Sequence, residues 1–170
     1  MVKVVFTKGA GGRYWSHVHR RDGVVLLLPG YDRKFRIPHD LAHFATERQL
    51  GLSDGVFGSL FAGAVFENMS VVAGRVRHDA RQRSERILRE HAKSGGIGTA
   101  EVLAGVVHHA VEGDVRARLF DDARVEWGII RQEPFPYTAA QFRDAADTLA
   151  ALATRWDALP VDATLDLTWP

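Results

Sequence analysis

The chain reads as α+β, a small antiparallel sheet packed against a bundle of about five helices. Three observations predict this: β-branched runs at the N-terminus, helical periodicity through the middle, and a return to strand residues at the C-terminus. At 170 residues it fits a single domain, residues 1–170, long enough to bury a core without disulfides or structural metals. Its residues are 46% hydrophobic and 25% charged, ordinary values for a folded globular chain.

The first elements are strands. Residues 2–7 (VKVVFT), 13–19 (RYWSHVH) and 24–28 (VVLLL) are separated by Gly-Ala-Gly-Gly at 9–12 and by Asp22-Gly23. An Asp-Gly pair supplies the positive φ angles of a tight hairpin, so a three-stranded meander follows. Residues 163–169 (ATLDLTW) read as a fourth strand returning to that sheet.

The helices come between. Pro38 suits a first helical position and Gly51 a stop, placing one helix over 38–50. Ser53 reads as the N-cap of a second helix running to about 70. A charged helix over 76–94 stops at Gly95-Gly96, and Thr99 with Glu101 opens a fourth that extends to about 112. Val115, Leu119, Ala123, Trp127 and Ile130 give helical spacing to 115–131. Thr138 caps the last helix, whose stripe of Phe142, Ala145, Leu149, Leu152 and Trp156 opposes Arg143, Asp144, Asp147 and Arg155.

Charge and cysteine content narrow the chemistry. The 22 basic and 21 acidic residues nearly cancel, so nothing at whole-chain level argues for nucleic acid or an anionic membrane. The N-terminus has no signal-peptide core and no apolar stretch reaches membrane length, which predicts a cytoplasmic protein. With no cysteine, disulfides, thiolate ligands and a cysteine nucleophile are excluded. Any metal must be held by imidazole and carboxylate.

Eight histidines are present, and two stand out in the segment PHDLAHFATE at 38–47. His39 and His43 are four apart, so on a helix their rings lie on one face a turn apart and can converge on one ion. Glu47 sits about 12 Å along the axis from His39, a better distance for contact behind a ligand, or for a second ion, than for closing a site with both rings. On the fourth helix, His108, His109 and Glu112 form a second group that would join the first if the two helices pack. Asp40, in the first turn, has an ordinary use in meeting the free amides at the helix start. His17 and His19 alternate onto a solvated sheet face, and His78 and His91 fall on the charged helix.

Residues 39–74, HDLAHFATERQLGLSDGVFGSLFAGAVFENMSVVAG, resemble the zinc-binding helix pair of thermolysin-like, gluzincin metallopeptidases. That family carries H-E-x-x-H on one helix and a liganding Glu on the next, in a Gly-Ala-rich segment with Ser three residues later. Gly63 to Ser70 has this form. The resemblance implies Zn²⁺, or another divalent metal, held by His39, His43 and Glu67, with Asp40 at the position of the base and a peptide or amide substrate. The chain has Asp40 where the family has Glu, and Val71 where the family has an acid. The PHDLxHxxxE string also resembles short uncharacterised bacterial proteins.

Two other readings compete. One is a non-catalytic α+β interaction module with structural histidines. The other rests on seven basic residues between 75 and 93, which could meet nucleic acid. They are interleaved with Asp79, Glu85 and Glu90 at spacings that favour a solvated, self-paired face, and nucleic acid is the weaker of the two.

Overall fold

The computed structural model describes residues 2–30 and 34–169. Three strands open the chain: β1 (Val2–Lys8), β2 (Tyr14–His19) and β3 (Val25–Pro29). Six helices follow, interrupted by one short strand: α1 (His39–Leu50), α2 (Val56–Ala62), β4 (Ser70–Ala73), α3 (Ala80–Lys93), α4 (Gly96–Glu112), α5 (Leu119–Ile130) and α6 (Ala139–Asp157). Strand β5 (Thr164–Trp169) closes the chain. The result is the expected α+β architecture, a five-stranded antiparallel sheet in the order β4-β3-β2-β1-β5 with helices against it.

Alternation decides the sheet's buried face. Val4, Phe6, Val18, Leu26, Leu165 and Leu167 point into the core, while Lys3, His17, His19 and Asp166 lie on the other side of the pleat. Lys3 and Asp166 pair there at 2.6 Å. His17 and His19 are half-buried on this outer face. Gly23, with φ of +80°, makes the turn between β2 and β3 that Asp22-Gly23 predicts.

Helix α1 is the centre of the molecule. Every residue from Leu41 to Glu47 is buried, because α1 is covered by the sheet on one side and packs against α4 and α6 on others. Phe44 meets Phe6 of β1 and Trp169 of β5 edge-on, at 6.5 and 5.4 Å between ring centres. Helix α6 is set by a capping box, in which Thr138 accepts from the Gln141 amide and Gln141 accepts from that of Thr138. Its buried stripe is the one the periodicity indicates.

Several boundaries differ from expectation, each for a local reason. The second helix does not run to 70: it is capped by Gly55 and stops at Gly63, whose φ of +121° ends it. The segment beyond turns back to form β4 on the sheet edge against β3, which is why the sheet has five strands and not four. Pro38 is the N-cap of α1 and not its first helical residue, so Asp40 falls one position earlier than its sequence reading assumed. Helix α4 starts at Gly96, after Gly95 in the left-handed region. The outward face of α3 is self-paired, Arg81 with Glu85 at 2.9 Å and Arg86 with Glu90 at 3.8 Å. His91 is half-buried against Ser59 of α2, 2.7 Å away. No described helix is long and apolar enough to cross a membrane.

Candidate metal centre

The packing of α1 on α4 brings His39, His43 and Glu101 together. His39 and His43 occupy one face of α1, one turn apart, and their rings meet edge-on with centres 4.8 Å apart. Glu101 reaches across from the second turn of α4. Its Oε1 accepts from His39 Nε2 at 3.2 Å and its Oε2 from His43 Nε2 at 2.9 Å. One ligand atom from each residue can be chosen so that all lie within 4.8 Å of one another. Two ligands bound at about 2.0–2.1 Å to one tetrahedral ion stand about 3.3 Å apart, so the spacing suits a shared ion after small side-chain rotations.

Both imidazoles are held from behind. His43 Nδ1–H donates to Glu47 Oε1 at 3.0 Å, and both residues are buried. The Glu47 carboxylate also accepts from the amides of Val56, Phe57 and Gly58 at 3.0, 2.9 and 3.2 Å, so the free N-terminal amides of α2 anchor it. His39 Nδ1 lies 3.0 Å from Nδ1 of buried His108. The tautomer of His39 that donates from Nε2 accepts here, whereas one that offers Nε2 to a metal donates here. A partner on the far nitrogen of each ring is what fixes a ligating histidine.

The electrostatics follow from this arrangement. Burial disfavours charge on His43 most strongly, but hydrogen bonds to Glu101 and Glu47, with their negative charges, outweigh it and push its pKa up to about 10. Hydrogen bonds from His39 and His43 hold the half-exposed Glu101 carboxyl below the usual carboxylate range, against a smaller burial effect. A metal would therefore have to displace a proton from His43, and its uptake releases that proton.

The other residues indicated by the sequence take varied places. Asp40 is hydrogen-bonded by Tyr14 of β2 and stands within the field of the cluster; burial raises its pKa, opposed by the charges of His43 and His39. Its Oδ2 is buried with no hydrogen-bond partner. Glu67 lies in an exposed turn between α2 and β4, outside the group, and does not sit on a second helix as the sequence reading assumed. Glu47 stands behind His43, as its distance along α1 indicates. His108 supports His39, while His109, its neighbour, is exposed. Glu112 accepts from the amides of Arg36 and Ile37 at 2.9 and 3.2 Å, tying the run-in of α1 to the end of α4.

Glu101 is the residue that sequence reasoning read as a helix opener alone. The signal was present: Glu101, His108 and Glu112 fall at i, i+7 and i+11, one face of α4, and all three meet α1 or the segment leading into it.

Fold and site together define a small α+β protein with a two-histidine, one-carboxylate cluster able to hold a metal ion between two packed helices. No family model matches the chain, and no curated protein or solved structure does.

Proposed function

We propose that this protein binds a divalent metal ion, zinc foremost, through His39, His43 and Glu101, and is a zincin-like hydrolase acting on peptide or amide bonds. The observation that carries this reading is the convergence of both Nε2 atoms on the two oxygens of one carboxylate. Two histidines and a glutamate are a donor set that leaves coordination positions open, as catalytic zinc requires. A bound zinc ion would supply Lewis acidity, polarising a carbonyl and acidifying water. His108 and Glu47 orient the ligand rings, and Glu101, 60% exposed at its side chain, marks the side open to a substrate.

A second reading is favoured by the same hydrogen bonds. Glu101 already satisfies both imidazoles without a metal, so the cluster could be a clamp between α1 and α4 in a non-catalytic interaction module. Metal analysis of protein purified without a histidine tag separates the two. The expected result is close to one zinc ion per chain, lost in His43→Ala. Absence of bound zinc, iron or manganese, with no thermal shift on adding them, would overturn the metal reading and leave the clamp.

A further inference from the structure

We propose that the groove between α4 and α5 receives the apolar part of the substrate, and that the substrates are therefore amides with a large aliphatic or aromatic group beside the reacting carbonyl. This rests on the metal reading given above.

Glu101, whose side chain meets both histidines, also forms one wall of a groove of about 550 Å³. That is within the range of small-molecule sites. Its floor is apolar, made by Val102, Gly105 and Val106 of α4 with Val115 and Val125 opposite. Val115 and Val125 are 47% and 63% exposed, an arrangement of apolar side chains that marks interaction surfaces when it lines a concavity. At the rim Arg118 is balanced by Asp122, 3.4 Å away. His109 and Glu126 also line the groove, so an apolar floor sits within a polar, net acidic rim, and it is the floor that takes an apolar body.

Gly105 keeps the floor of the groove open. It stands in the middle of α4, where glycine costs about 1 kcal/mol relative to alanine. A Cβ built there meets nothing within 4 Å, so no packing inside the protein requires its absence. What a side chain at 105 would occupy is the groove itself. Gly105 is one turn from Glu101, about 6 Å along the helix, so a group lying over it has its next atoms at the cluster.

The test compares two hydroxamates on the zinc-loaded protein, acetohydroxamate and octanohydroxamate, in the wild type and in Gly105→Leu. Each buried methylene is worth about fourfold in affinity, so the long tail should bind at least about tenfold more tightly to the wild type. Gly105→Leu should remove that preference while leaving zinc content and acetohydroxamate affinity in place and the melting temperature no lower than wild type. A tail that adds nothing, or a preference that survives Gly105→Leu, overturns the proposal. Octanamide, which lacks a strong metal-binding group, separates this failure from that of the metal reading: its amide shift changes at Val102, Gly105 and Val125 read the groove even if no zinc binds. Sedimentation showing a dimer that Val125→Glu dissociates would assign the face to a second copy, and would also overturn the proposal.

Discussion

His43 and Glu101 are joined by a 2.9 Å hydrogen bond from Nε2 to Oε2, 58 residues apart in sequence and on helices separated by three other elements. His43 is buried and Glu101 half-exposed, so the pair is where the interior of α1 opens onto solvent. Two carboxylates bracket the one imidazole, Glu47 on its Nδ1 and Glu101 on its Nε2.

Replacing these carboxylates separates the candidate ligands. Glu101→Gln should reduce bound zinc from about one per chain to well below half, because an amide oxygen is a far weaker donor than a carboxylate. Glu67→Gln should leave zinc unchanged, since Glu67 lies in an exposed turn away from both histidines. Metal analysis after dialysis reads both; the reverse pattern would return the third ligand to Glu67.

Stability of the metal-free protein should depend on pH through the same pair. The His43 pKa is raised from 6.5 to about 10, so its contribution is complete below about pH 6.5 and is lost as pH rises toward 10. The Glu101 pKa is lowered from 4.5, so its contribution is present above about pH 4.5 and fades as pH falls. Melting temperature should therefore be highest between these limits and decline through the alkaline range, a decline that His43→Gln flattens. Zinc should stabilise the protein more at pH 8 than at pH 6, since binding must displace the His43 proton. Melting curves with and without zinc across pH 4 to 10 check each sign.

Glu47→Gln tests support from behind the cluster. Glutamine places an amide group among four donors that all need acceptors. A loss of about 1–3 kcal/mol in folding stability is expected for a buried donor left unpaired. Zinc affinity should fall by about 10- to 100-fold. Denaturant unfolding and zinc titration measure the two effects, and an unchanged zinc affinity would remove Glu47 from the site.

Asp40→Asn should behave oppositely. Burial raises the Asp40 pKa, so its ionised form opposes folding above the ordinary carboxylate range, and one of its oxygens is buried without a partner. The asparagine variant should melt no lower than wild type at pH 7 and keep its zinc. A drop of several degrees, or lost zinc, would show that the charge of Asp40 is needed where it lies.

What the sequence determined by itself was local. Alternating apolar residues and Asp22-Gly23 were sufficient to define the meander, because pleat period and positive φ are properties of a few adjacent residues. Thr138, Gln141 and the apolar stripe behind them specified α6 in the same way. The four-residue spacing of His39 and His43 placed their rings on one face of α1 and set Glu47 behind the second. The tertiary structure decided the rest. Gly63 ended α2 early and let Ser70–Ala73 pair with β3, a choice made by an available sheet edge that the segment's own residues do not announce. Glu101 came to both histidines only because α1 and α4 pack side by side, while the early end of α2 left Glu67 in an exposed turn and Asp40 found Tyr14 of β2. Helical periodicity tells which residues share a face but not which face of another helix they will meet, since that depends on burying apolar surface across the whole core.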